Sequence, residues 1–313
     1  MTQAISVWIV SDQKAGHENQ SLGLVDALKR LMPVESKLVR LEPRRSAFRN
    51  ARQLLAQARD EGNPDLLIGA GHRTHWVLLF MRWLGRIPVV VLMKPSVPVS
   101  WFDLCLIPEH DLRDREPGEN VVSTCGVLNR VRYQPEKQDG SGLILVGGPC
   151  REFGWDEADL LSAVTDIVQS RPSIPWTLTD SRRTPSSFLS TLRDRNLDLR
   201  ICSHHETPSG WLPDRLAEAA TVWATQDSVS MIYESLSSGA SVGLLKMPPA
   251  GPPSRLNYGI ERLVENGMVK RYRDADVAAE LPPPSRILAE TDRCAAVIGE
   301  KFFKDRIARG QLT

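Results

Sequence analysis

Long hydrophobic runs are missing from this 313-residue chain. The longest apolar stretches, residues 76–81 and 89–93, fall far short of the roughly 20 residues that span a bilayer. The opening residues lack a basic segment followed by a long apolar core, so no signal peptide is expected. An excess of charge is missing too. Lys+Arg number 39 against 38 Asp+Glu, a net charge of +1, which gives no whole-chain field for nucleic acid or an acidic partner. Cysteine is sparse: Cys105, Cys125, Cys150, Cys202 and Cys294 are odd in number, scattered, and form no C-x-x-C pair. That excludes a disulfide framework and a structural zinc and fits a reducing compartment. No Asp-x-Asp motif follows a strand pattern, since Asp274-Ala275-Asp276 lies in a short mixed stretch. A site without a metal and without a resident cofactor is therefore expected. Low-complexity tails and short repeats are absent as well. What remains, 42% hydrophobic and 25% charged, fits about two cytoplasmic domains of ordinary size.

What is present is one opening written twice. Residues 5–10 are an apolar run that leads into a polar, glycine-containing loop and then a helical pattern. Residues 143–146 do the same, leading into Gly147-Gly148-Pro149 and a second helical pattern. Strand, glycine loop and amphipathic helix open a parallel α/β nucleotide-binding unit. The fold expected is therefore α/β, with two Rossmann-like doubly wound domains facing a cleft. Apolar strands at 66–68 and 89–93 read as buried on both faces, and residues 102–107 and 121–127 as two more strands. Helices are expected at 18–31, 47–59 and 74–84. The polar stretch 132–141 reads as the linker, which sets the domains at 1–135 and 136–313. In the second, strands at 176–179, 199–201, 221–225 and 242–245 alternate with helices at 157–169, 186–195 and 228–238. Asp156 is the expected N-cap of the first of these helices, and a last helix covers 289–308.

Residues 225–234, Thr-Gln-Asp-Ser-Val-Ser-Met-Ile-Tyr-Glu, carry the sharpest local signal. A strand delivers the chain to a helix N-terminus rich in small hydroxyls, where free N–H groups and the helix dipole suit a phosphate. Gln226, Asp227, Ser228 and Ser230 are candidates for holding a diphosphate, with Glu234 accepting from ribose hydroxyls. The plain alternative is an Asp/Ser cap on a structural helix. Gly147 and Gly148 either let the backbone approach a ligand or make a tight turn. Ser181, Arg182 and Arg183 follow a strand, where an arginine can clamp phosphate or simply be solvated. In the first domain His17 is the candidate general base, with Lys14, Gly16, His72 and Arg73 on the acceptor side. Arg40, Arg44, Arg45, Arg49, Arg52 and Arg59 form a basic face. It suits an anionic lipid or acidic acceptor, or is only a solvated surface.

The segments 11–24, 69–75, 102–111, 181–185 and 225–234 resemble the mitochondrial-fission family first named from plants with elongated mitochondria. That family is similar in layout to GT-B glycosyltransferases, including the enzyme that adds N-acetylglucosamine to a lipid-linked peptidoglycan precursor. The resemblance implies a nucleotide-sugar, UDP-linked, on the second domain and an acceptor on the first. It implies that Glu234 meets the donor's ribose and that the Gly16-His17 loop stands where the relatives have a glycine-rich loop. It also implies that the last helix crosses back onto the first domain. The chain departs from the relatives in that first loop and at Met93-Lys94-Pro95. A metal-independent sugar transferase is the leading expectation. A sugar-nucleotide epimerase and a non-catalytic scaffold that retains the fold stay open.

Overall fold

The computed structural model describes residues 4–112, 117–137, 140–208, 210–252 and 255–310. It divides into two compact units, Met1–Arg130 with Glu290–Thr313, and Val131–Ala289. Gln138 and Asp139, in the expected linker, lie outside the described residues.

The first unit contains β1 (Ile5–Ser11), α1 (Ala15–Leu31), β2 (Val34–Arg40), α2 (Ala47–Glu61), β3 (Leu66–Ala70) and α3 (His72–Gly85). It continues with β4 (Val89–Leu92), β5 (Leu104–Pro108), α4 (Glu109–Leu112) and β6 (Val121–Thr124). The six strands pair in parallel in the order β2-β1-β3-β4-β5-β6. In β1 the side chains alternate between faces, as a two-residue period requires. Ile5, Val7 and Ile9 pack with Leu24 and Leu28 of α1, while Trp8 and Val10 pack with Leu54 of α2 and Val77 and Leu78 of α3. Each such fully buried side chain contributes about 1.5–3 kcal/mol relative to an exposed one, so the sheet is held from both sides.

The second unit runs β7 (Gly142–Leu145), α5 (Glu157–Ser170), β8 (Trp176–Thr179), α6 (Ser186–Arg193), β9 (Leu199–Cys202) and α7 (Trp211–Glu218). Then come β10 (Thr221–Thr225), α8 (Val229–Ser238), β11 (Ser241–Leu245), α9 (Arg255–Glu265) and β12 (Lys270–Arg271). Its sheet is again parallel, in the order β12-β11-β10-β7-β8-β9. Asp156 caps α5 as expected, accepting from the Asp159 amide at 3.1 Å. The last helix, α10 (Glu290–Gly310), belongs to the first unit. Cys294, Ala295 and Ile298 enter the same core as Leu24 and Leu28. Thr291 Oγ1 donates to the Asn129 carbonyl at 3.0 Å, and Arg306 reaches Asp65 at 3.0 Å.

Both sheets therefore carry the doubly wound topology, and each has one point where strand order reverses. In the first it lies between β1 and β3; in the second, between β7 and β10. Several boundaries differ from the sequence expectation. α1 begins at Ala15, so Gly16 and His17 sit in its first turn rather than in the preceding loop. β6 ends at Thr124, and α10 kinks at Phe303 (φ −134°, ψ 20°). α7 and α9 have no counterpart among the helices expected from the sequence; Pro213 lies in the first turn of α7, and prolines precede α9. A proline in the first turn costs a helix little, since its missing N–H would have no partner there.

Candidate functional site

Ligands of open parallel sheets sit outside the carboxyl ends of the strands, at the reversal of strand order, because neighbouring loops diverge there and leave a crevice. Each unit places its polar residues at this point of its own sheet.

At the β1/β3 reversal the centre is an Asp–His pair. Asp12 follows β1 with no exposed side-chain surface, and its carboxylate takes the His17 ring at 2.9 and 3.0 Å. A carboxylate only accepts, so Nδ1 carries the hydrogen of this contact and Nε2 is the nitrogen left to exchange a proton. The ring packs closely against Gly71, which precedes α3 with φ +88°. A Cβ there would stand 2.4 Å from His17 Nδ1 and 2.7 Å from Asp12 Oδ2, so only glycine allows the approach. The surrounding loop is also tied down. Gln13 donates to the Leu41 carbonyl at 2.8 Å, and Ser11 Oγ donates to Glu18 at 2.6 Å. Lys14, Gly16 and His72 are exposed around the pair. Arg73 differs, since its guanidinium is engaged by the Pro43 carbonyl at 2.6 Å.

His75, one turn into α3, is 2% exposed. Its Nδ1 accepts the Ser96 amide at 3.3 Å and lies 3.0 Å from Ser96 Oγ. Burial first, then the charges of His72 and His17, pull its pKa from 6.5 to about 4. The ring is therefore neutral near pH 7.

At the β7/β10 reversal the centre is Arg183. Its guanidinium meets Asp227 Oδ2 at 2.7 Å, the Gly148 carbonyl at 3.0 Å and Ser228 Oγ at 3.5 Å. The Gly148 amide donates to Asp227 at 3.0 Å and the Gly147 amide to Thr225 Oγ1 at 2.7 Å. A Cβ at Gly148 would lie 2.1 Å from the Arg183 carbonyl oxygen, so this glycine is required by loop-on-loop contact. Ser181 and Thr184 shape the arginine's loop, with the Ser181 amide on Thr184 Oγ1 at 2.9 Å and the Arg183 amide on Ser181 Oγ at 3.2 Å. Ser230 and Arg182 are exposed, Gln226 and Glu234 half-buried, and Ser228 nearly covered.

Asp227, a candidate for holding the diphosphate, has no exposed side-chain surface; its Oδ2 positions Arg183 and the Gly148 turn, and its Oδ1 has no protein partner. Gly147 and Gly148 were left open between close ligand approach and a tight turn. Their amides are spent on Thr225 and Asp227, which makes the turn their first role. Ser228, at the N-cap, makes no side-chain cap bond, so the simple capping account of this helix start does not hold either.

Sequence reasoning weighs His75 only with His72, as a metal pair or a cleft lining, and gives no role to Asp12, Thr184 or Thr225. An Asp five residues before a His across a strand end was the available signal for Asp12. A second Asp–His contact, Asp180 to His204 Nδ1 at 3.0 Å, lies at the ends of β8 and β9. Among the described residues two buried side-chain atoms lack a protein partner, His204 Nε2 and Asp227 Oδ1. Both follow carboxyl ends of the second sheet, where unmet hydrogen bonds mark a place for solvent or ligand. No group of three or more His, Cys, Asp or Glu among the described residues is placed to hold a metal ion. No described helix is long and apolar enough to cross a membrane.

The family model described as mitochondrial fission ELM1 matches residues 15–302. This chain belongs to that family. The match covers the His17 helix, the Arg183 and Asp227 loops and most of α10. A relative, the uncharacterized protein RP120 of Rickettsia prowazekii (strain Madrid E), is 24% identical over 331 residues, covering 87% of this chain and 91% of that one. Solved structures share the architecture. The UDP-GlcNAc 2-epimerase of Methanocaldococcus jannaschii aligns with TM-score 0.57 and 10% identity, over 95% of this chain and 100% of that one. The UDP-GlcNAc 2-epimerase of Neisseria meningitidis, bound to UDP-GlcNAc, gives 0.54 and 12%, over 96% and 100%. MurG of Acinetobacter baumannii gives 0.53 and 11%, over 96% and 99%. At these identities the likeness is one of fold: this ELM1-family chain has the two-domain, Rossmann-like GT-B architecture.

Proposed function

We propose that this protein transfers a sugar from a nucleotide-sugar, UDP-linked, to an acceptor hydroxyl. The observation that carries the reading is Arg183, held over the β7/β10 reversal by Asp227, Gly148 and Ser228. An arginine fixed this way is ready for a diphosphate, because its fork is already oriented and little side-chain entropy remains to be lost. The exposed Ser230 hydroxyl and the first amides of α8 extend the anion site, and Glu234, one turn further on, suits ribose hydroxyls. In the first unit His17 Nε2 takes the acceptor proton, while Asp12 fixes the ring and stabilises its charged form. The acceptor oxygen bonds to the anomeric carbon, and the nucleoside diphosphate leaves with the bonding pair. Its new charge falls to Arg183 and the helix terminus, without recourse to a metal ion. Lys14, Gly16, His72 and the basic face from Arg40 to Arg59 serve the acceptor side, where an anionic acceptor is favoured.

A second reading, epimerisation of the sugar nucleotide, is supported by the alignment with two UDP-GlcNAc 2-epimerases. One experiment separates the possibilities. Purified protein is melted against a panel of UDP-, GDP-, ADP- and CMP-sugars, then incubated with the stabilising one. Saturation at about 100 times Kd adds about 2.7 kcal/mol to the folded state, which a melting curve detects. Nucleoside diphosphate release that requires an acceptor supports transfer. A new sugar-nucleotide isomer without an acceptor supports epimerisation. No stabilisation by any member of the panel would sink both and leave the scaffold reading.

A further inference from the structure

α3 is apolar on two faces, and only one of them is covered. Val77, Leu78 and Met81 face the core. Trp76, Phe80, Trp83 and Leu84, spaced i, i+4, i+7 and i+8, form the other stripe. Trp76 is 41% exposed, Trp83 47% and Leu84 61%. Trp101, from the turn before β5, closes the stripe into a ring. Its indole meets those of Trp76 and Trp83 at 6.0 Å each, and Phe80 completes the circuit at 6.2 and 6.3 Å. Phe48 of α2 joins through Phe80 at 5.6 Å. Five of the eight large apolar side chains left exposed among the described residues belong to this one cluster. Scattered apolar residues need no explanation, but a contiguous aromatic patch does.

The charge around it is predominantly positive, with Arg45 paired to Glu42 at 2.8 Å. Arg49 and Arg52 lie on the exposed side of α2 at +1 and +4 from Phe48, exposed Arg45 just precedes the helix, and Arg86 follows Trp83 by three. Residues 40–59 hold six arginines against one acid, Glu42. α3 has no acidic residue, and the acids of α2, Asp60 and Glu61, stand at its far end. Asp103, the acid near Trp101, is occupied by Arg82 at 2.9 Å.

We infer that this patch is a membrane-interface surface that seats the first unit on an anionic lipid bilayer. Tryptophan rings, apolar in body with one polar N–H, partition to the headgroup level. Arginines beside them meet the negative surface potential of anionic lipid. A second copy of the chain fits less well, because a twofold contact through this patch would bring each arginine rim against its own equivalent. The inference does not depend on the sugar reading and survives its failure.

The test is flotation of the full-length protein with vesicles of phosphatidylcholine alone and of phosphatidylcholine mixed with phosphatidylglycerol. The expected result is binding to the mixed vesicles, weakened by salt, with a blue shift of tryptophan fluorescence. Arg49→Gln and Arg52→Gln should each weaken it about fivefold. The double variant Trp83→Gln/Trp101→Gln should abolish the shift while its circular dichroism melt matches the wild type. Equal binding to both vesicle types, no binding to either, or unchanged binding by the tryptophan variant would overturn the inference. So would a dimer, seen by light scattering, that the tryptophan variant dissolves.

Discussion

Acid should unfold the first unit in part through one histidine. His75 is 2% exposed, and its Nδ1 accepts the Ser96 amide. A backbone N–H can only donate, so a proton on Nδ1 would break that bond and bring a charge into the interior. The folded-state pKa of about 4 lies below the 6.5 of the exposed ring. Between those values the unfolded chain binds a proton that the folded chain refuses. Stability is therefore complete above pH 6.5 and declines as the pH falls toward 4. The interval corresponds to about 3 kcal/mol at roughly 1.36 kcal/mol per pH unit. In His75→Gln the amide oxygen can still accept the Ser96 N–H but does not titrate. The assay is urea denaturation of both proteins across this range, followed by circular dichroism. The wild type should lose about 2–3 kcal/mol more than the variant on acidification. Differencing the two removes groups that titrate alike in both. Parallel stability curves would refute the reasoning, since they would show that His75 is protonated without cost in the native state.

Further outcomes rest on other contacts. Gly71→Ala pushes a methyl carbon to 2.4 Å from His17 Nδ1 at a φ of +88°; turnover should fall at least tenfold, with a stability cost of about 1–3 kcal/mol, and an unaffected rate would remove His17 from the reaction. Asp227→Ala leaves the buried Gly148 amide unpaired and frees Arg183, so the urea midpoint should shift by an amount equivalent to about 2 kcal/mol. Nucleotide affinity should weaken in the same variant, as read by calorimetry. Burial raises the thiols of Cys105 and Cys294 to about 12; maleimide labelling at pH 8 followed by peptide mass spectrometry should mark Cys125, Cys150 and Cys202 well before these two. Glu234→Ala should weaken UDP-sugar binding more than free diphosphate binding if its carboxylate meets the ribose.

Much of the fold could be read from local pattern. Residues 5–10, 66–68, 89–93 and 221–225 are apolar because both of their faces are buried, and burial on two faces is itself the mark of a parallel strand with helices on each side. The helices with a clean apolar stripe, α2 and α5, were placed to within two residues. α7 and α9 are short helices next to prolines with weak local signals, and the tertiary packing of Leu216, Ile260 and Leu263 supplies the stabilisation that isolated short helices lack.

The site was legible by residue type and not by role. Glycines, hydroxyls, arginines and histidines after strands can be picked out along the chain, because loops at the carboxyl ends of parallel strands have a known use. Which atom faces which depends on strands far apart in sequence. Asp227 stands 44 residues from Arg183, and their contact exists only because β7 and β10 are neighbours where the sheet order reverses. That adjacency makes Asp227 a buried carboxylate that aims an arginine. It also laid His17 on Gly71 across β1 and β3, which pinned a histidine whose partner the linear order only hinted at. Composition and periodicity thus determined the class of fold, since burial is a property each segment carries with it. Tertiary structure decided which polar groups work as partners, since a hydrogen bond needs two groups within about 3 Å and the chain alone does not say which will meet.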